Sequence, residues 1–61
     1  MKVDHDALEA FEGGTLFFSD VVVLFQDLLD TGMIWSLSRG KSIYLDTANE
    51  LIERGYVKLK P

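Results

Sequence analysis

The sequence predicts a small all-α domain: three helices plus one short helical turn, followed by a short extended C-terminal tail. Its 61 residues suffice for one domain only. The apolar content of 48% is high enough for a core, and the apolar residues recur at helical spacing between glycines that can end helices. With no cysteine and one histidine, neither a disulfide nor a structural zinc site is expected. Stability must come from packing or from a partner that binds only the folded chain.

The first helix is predicted to start near Asp4, with Asp4 or Asp6 capping its free amides, and to end at Gly13-Gly14. Its apolar face is predicted to hold Ala7, Leu8 and Phe11.

The second helix is the longest, with Ser19 or Asp20 as its predicted cap and Gly32 at its end. Its core face is predicted to comprise Phe18, Val21, Val22, Phe25, Leu28 and Leu29. Val23 is the exception, because helical spacing projects it among the polar residues.

The second half of the chain is predicted to contain a helical turn, a loop, a helix and a tail. Residues 33–38 form the turn and carry Trp35 and Leu37, and Trp35 is expected to pack in the core. For Tyr44, the sequence leaves open whether the side chain packs in the core or stacks on a partner. Arg39-Gly40-Lys41 is predicted to be a flexible basic loop. Ser42 or Asp46 would cap the last helix, which runs to Arg54 and ends at Gly55; its apolar face is Leu45, Ala48, Leu51 and Ile52. The tail, residues 56–60, alternates apolar and basic residues, so an edge strand is an alternative.

Charge is distributed unevenly along the chain. Residues 1–38 hold seven acids against one lysine, a balance of −6, whereas residues 39–61 have a balance of +2. This distribution disfavours direct binding to a phosphate backbone. It favours a basic partner, including the DNA groove of an enzyme, and a solubilising surface is the plainer interpretation.

No motif predicts catalysis, a cofactor or a metal ion. Gly40-Lys41-Ser42 lacks the first glycine and the preceding strand of a phosphate-binding loop. His5 lies near a chain end without the fixed partner that a catalytic base needs. Asp27 and Asp30 lack the spacing of a calcium loop. We therefore expect a binding protein and not an enzyme.

The chain ends and apolar runs predict a soluble, cytoplasmic protein. Met1–Asp6 has no apolar run of signal-peptide length. The longest apolar run, Val21–Phe25, is too short to cross a bilayer.

Two stretches resemble a family of short bacteriophage proteins of unknown function. Residues 21–37 match the pattern V-V-x-L-F-Q-x-L-x-D-T-G-x-x-W-x-L, and residues 47–55 match T-A-x-x-L-I-x-x-G. The resemblance covers roughly residues 10–57. It implies a phage origin, hence the host cytoplasm, and no particular chemistry.

An apolar patch rimmed by acids is the candidate binding site, because such patches mark interaction surfaces. Phe17, Phe18 and Val23 stand where that family tends to have acidic or small residues, although a different helix start would bury Phe17. The predicted partner-binding residues are Phe17, Phe18, Val23, Asp20, Asp27 and Asp30.

Four functions are compatible with these features. The favoured hypothesis is a phage-type accessory protein that binds and inhibits or redirects a host protein. Its alternatives are an acidic DNA mimic that blocks the DNA groove of a nuclease or a uracil-DNA glycosylase, and a self-associating structural protein. A helix–turn–helix regulator is disfavoured, because the last helix carries Asp46, Glu50 and Glu53, the wrong charge for the major groove.

Overall fold

The computed structural model describes residues 4–59, which form four helices and contain no strand. The helices are α1 (His5–Gly13), α2 (Phe18–Thr31), α3 (Met33–Leu37) and α4 (Ser42–Glu53). The all-α prediction is confirmed, and the predicted helical turn is the five-residue α3.

Glycines end the helices where the sequence predicts. Gly14 and Gly32 both adopt the left-handed conformation, with φ of 77°, and Gly55 does the same directly after the cap of α4, with φ of 82°. A residue with a Cβ is strained at such positive φ values. At the other end of α1, the Asp4 carboxylate accepts a hydrogen bond from the Asp6 amide at 2.9 Å, which confirms one of the two predicted caps.

The predicted N-terminal caps of the other two long helices are wrong. Helix α2 starts at Phe18, with Phe17 in the cap position and no side-chain cap bond, so Ser19 and Asp20 lie inside its first turn. Asp20 still lies where the positive end of the helix dipole favours a carboxylate. Helix α4 starts at Ser42 after Lys41, also without a side-chain cap.

The core lies where three aromatic rings from three helices meet. Phe11 of α1 packs against Phe25 of α2, with ring centroids 4.9 Å apart, and against Tyr44 of α4 at 5.2 Å. Phe25 and Tyr44 are themselves 6.1 Å apart, and both are fully buried. The remaining buried residues surround this ring triangle: Leu8, Leu24, Leu28, Ile34, Ala48, Leu51 and Val57.

The buried face of α2 is rotated relative to the prediction. Leu24, which the predicted face left out, is buried together with Phe25 and Leu28. Phe18, which that face included, is 53% exposed. Rotation toward Leu24 moves Phe18 to the margin of the buried face, where Tyr56 covers its ring only in part.

The structure corrects the predicted position of Trp35 and decides that of Tyr44, which the sequence left open. Trp35 was expected in the core but is 58% exposed, because Ile34 and Leu37, three residues apart on α3, take the inward positions. Tyr44, for which stacking on a partner was considered, belongs to the core.

A polar network ties α1 to the start of α4. The Tyr44 hydroxyl donates to Glu12 Oε2 at 2.5 Å, and Lys41 Nζ lies 2.8 Å from Glu12 Oε1. The predicted flexible loop is thus anchored at Lys41. The bond from Lys41, followed by that from Tyr44, lowers the pKa of Glu12 below its usual value. Burial of the ring, together with the bond to Glu12, raises the pKa of the Tyr44 hydroxyl.

The tail lies against α2 and forms no edge strand within the described residues. The side-chain amide of Gln26 accepts a hydrogen bond from the Lys58 amide at 3.0 Å and donates one to the Lys58 carbonyl at 2.9 Å. The side chain of Val57 is buried in the core. Lys60, the last residue of the predicted tail, lies outside the described residues, as do residues 1–3 at the start of the chain.

Candidate protein-interaction site

An exposed aromatic surface lies where the start of α2 meets the tail. It consists of Phe17, Phe18 and Tyr56, which we call the aromatic edge; their exposed fractions are 77%, 53% and 52%. The rings of Phe18 and Tyr56 pack edge to face with centroids 4.9 Å apart. The sequence left open whether Phe17 is exposed, and the structure resolves this in favour of exposure.

Backbone hydrogen bonds hold both sides of the aromatic edge in place. Phe17 has an extended backbone, and its carbonyl accepts from the amides of Asp20 at 3.0 Å and Val21 at 2.9 Å. On the other side, the left-handed Gly55 turns the chain, and the Tyr56 amide donates to the Leu51 carbonyl at 2.9 Å. The buried Val57 follows directly. The rings are therefore presented by ordered backbone and not by a loose chain end.

The predicted binding site divides into two surfaces. Phe18 and Val23 are five residues apart on α2, which places them about 140° apart around the helix axis. Val23 is 49% exposed and shares one side of α2 with Asp20, Asp27 and Asp30, at spacings of three, four and three residues. We call these four residues the acidic row. Phe18 thus pairs with Tyr56 and Phe17 directly precedes it in the chain, whereas Val23 and the three aspartates form a separate surface.

The residues of the acidic row differ in their local contacts. Asp20 is exposed in the first turn of α2, and Asp27 is half-buried. Asp30 accepts a hydrogen bond from Gln26 at 3.0 Å, so it is linked to the same side chain that holds the tail.

The aromatic edge has the area of a functional patch. Taking about 200 Å² for each ring, the three exposed fractions correspond to roughly 370 Å². The largest apolar patch on a typical monomer is roughly 300–600 Å² and is often functional. A stable interface needs about 800 Å² from each partner, so polar residues around the rings must take part in any tight complex.

Within residues 4–59, no group of three or more histidine, aspartate or glutamate side chains is arranged to hold a metal ion. None of the helices in that range is both long and apolar enough to span a lipid bilayer.

Comparison with known families gives a match over nearly the whole chain. A family model described as a domain of unknown function, DUF7417, matches residues 1–60. The chain belongs to this family. No curated protein matches the chain, and neither does any solved structure. The description of the DUF7417 family names neither a chemistry nor a source.

The exposure of Trp35 and Tyr56 in this DUF7417 chain was not predicted, although the spacing of the apolar residues around each of them indicates it. In the tail, Tyr56 and Lys58 alternate with Val57, so an inward Val57 places Tyr56 on the outer side with the lysine. In α3, Ile34 and Leu37 define the inner side, which excludes Trp35.

Proposed function

We propose that this protein works by binding another protein through the aromatic edge. The observation that carries the proposal is the exposure of Phe17, Phe18 and Tyr56 on ordered backbone. Aromatic side chains supply most of the binding energy at protein interfaces, and their few rotatable bonds limit the entropy lost on binding.

Binding through this edge gives the protein an accessory role: it inhibits its partner or redirects it. A host protein as that partner, and a phage-infected cytoplasm as its setting, are supported only by the resemblance to short phage proteins. No catalytic step forms part of the proposal.

The test is affinity capture from lysate of the source cells with matched variants. We expect wild type to retain a stoichiometric partner and Phe17→Ala to lose it, because Phe17 has the most exposed ring of the edge. Trp35→Ala removes an exposed aromatic ring from a different helix and serves as the control that keeps the partner. Circular dichroism checks that both variants are folded. A partner retained equally by Phe17→Ala and wild type contradicts the proposal.

A DNA mimic is the second candidate, and the acidic row is the observation that favours it. Carboxylates of Asp20 and Asp27 would then occupy phosphate positions in the DNA groove of an enzyme, and Val23 would fill an apolar pocket between them. This function predicts that capture weakens steeply with salt and depends on Asp27. Capture that depends on Phe17 and changes little with salt favours the aromatic edge.

A further inference from the structure

A second apolar surface lies on the outer side of α3 and at the start of α4. Trp35 and Arg39 are its exposed residues on α3 and the turn that follows, and Ile43 is exposed in the first turn of α4; we call these three residues the Trp35 surface. Trp35 is the only tryptophan in the chain and is more exposed than Phe18. Tryptophan is among the residues most enriched in interface hot spots.

The Trp35 surface lies in a part of the chain without acidic residues. Residues 32–45 contain two basic residues and no acidic one. Lys41 is neutralised by its ion pair with Glu12. Arg39 has no ion-pair partner among residues 4–59. It follows Trp35 by four residues, in a turn that continues α3. This spacing puts the two side chains on the same side.

The same chain carries a surface of complementary charge. In the acidic row, exposed Val23 lies three residues after Asp20 and four before Asp27, so an apolar side chain lies between two carboxylates. Neither Asp20 nor Asp27 forms an ion pair with a residue in the described range. An exposed guanidinium beside an apolar ring matches an apolar methyl pair flanked by two carboxylates, exposed Asp20 and half-buried Asp27.

We propose that the Trp35 surface binds the acidic row of a second copy of this chain. Trp35 packs on Val23 of the second copy, and Arg39 pairs with Asp27 there. This self-association uses neither Phe17 nor Tyr56, so it leaves the aromatic edge free and is independent of the function proposed above. If both contacts form at once across a two-fold axis the product is a dimer, and otherwise the copies join head to tail.

The first experiment uses Trp35 as its own reporter. Purified full-length protein is studied by analytical ultracentrifugation and by tryptophan emission from micromolar to millimolar concentration. We expect a concentration-dependent increase in mass together with a blue shift of the emission, because the indole leaves water. Trp35→Ala is expected to weaken association by about 10-fold or more. Phe17→Ala, which removes an exposed ring outside the contact, is expected to associate like wild type.

The second experiment tests the charge pairing by exchange of charges. Arg39→Glu and Asp27→Lys are each expected to associate more weakly than wild type, because each puts like charges together. An equimolar mixture of the two is expected to form a 1:1 complex, because the exchanged charges attract again in one of the two contacts. High salt is expected to weaken both wild-type association and this mixed complex.

Three results would overturn the inference. One is a monomer at every concentration with unchanged tryptophan emission. Another is association that Phe17→Ala abolishes and Trp35→Ala leaves intact, which assigns self-association to the aromatic edge. The third is a mixture of Arg39→Glu and Asp27→Lys that associates no better than either variant alone, both being folded by circular dichroism.

Discussion

The molecule contains two groups of aromatic rings with nearly the same internal geometry and opposite surroundings. Phe11 and Phe25 pack edge to face with centroids 4.9 Å apart, and so do Phe18 and Tyr56. The first pair belongs to the ring triangle, in which Phe25 and Tyr44 are fully buried and Phe11 is partly buried, whereas the second lies more than half exposed in the aromatic edge. Ring geometry alone therefore does not reveal the role of a pair. Burial makes the triangle a source of folding stability, and exposure leaves the edge available to a partner.

The largest expected effect comes from removing a ring from the triangle. Phe25→Ala deletes a fully buried ring that contacts both Phe11 and Tyr44. Such a deletion costs about 3–5 kcal/mol, comparable to the roughly 3–5 kcal/mol that the core of so small a domain supplies. We expect Phe25→Ala to be largely unfolded at room temperature by circular dichroism.

Phe18→Ala is the matched control for this comparison, because it removes the same side chain from the exposed pair. It is expected to remain folded and to lose about 1 kcal/mol, the order of a single aromatic pair. If both variants lose the same stability, burial does not distinguish the two groups.

The sequence predicted the helices and their C-terminal ends better than their N-terminal caps and their orientations. Glycine positions and apolar spacing located all four helices, because both signals are local. The exposure of Trp35 was not predicted and that of Phe18 was left open, since both depend on which neighbouring helix covers a given turn. The partner of Gln26 was beyond prediction too, because the tail it binds is 32 residues further along the chain. For the same reason the candidate site was predicted as one patch, although the structure divides it between the aromatic edge and the acidic row.

The polar border of the ring triangle gives a pH-dependent prediction. Folding lowers the pKa of Glu12, through Lys41 and then Tyr44. The stability from this carboxylate is therefore fully present above its ordinary pKa of 4.5 and is lost as pH falls through the lower folded-state value. We expect wild type to lose stability on acidification below about pH 4.5 and Glu12→Gln to lose less, as measured by urea denaturation across this range.

Glu9→Gln is the control for the pH experiment, because Glu9 is an exposed carboxylate on the same helix. It is expected to keep the pH dependence of wild type. If the free energy of unfolding falls equally with pH in Glu12→Gln and in wild type, protonation of Glu12 does not affect the stability of the polar network.

The hydrogen bonds between the tail and α2 are expected to contribute less to the free energy of unfolding than the ring triangle does, but more than any single exposed ring. Gln26→Ala removes two hydrogen bonds to the backbone of Lys58, each contributing about 0.5–1.5 kcal/mol. We expect a loss of about 1–3 kcal/mol and faster hydrogen exchange at the Lys58 amide, measured by NMR. Asn49→Ala removes an exposed side-chain amide from α4 and is expected to change neither. Unchanged exchange at Lys58 in Gln26→Ala would mean that Val57 alone holds the tail.

The smallest effect on stability is expected where the effect on binding is largest. Phe17 precedes α2 and is 77% exposed, so Phe17→Ala removes almost no buried area. We expect a change within about 0.5 kcal/mol, the usual range for surface substitutions, measured by urea denaturation. The exposed ring of Phe17 belongs to the apolar surface from which we propose a contact outside the chain. A loss of stability comparable to that of Phe25→Ala would instead make Phe17 part of the core. The distinction between the two aromatic groups would then fail at Phe17, the residue on which the proposed function depends most.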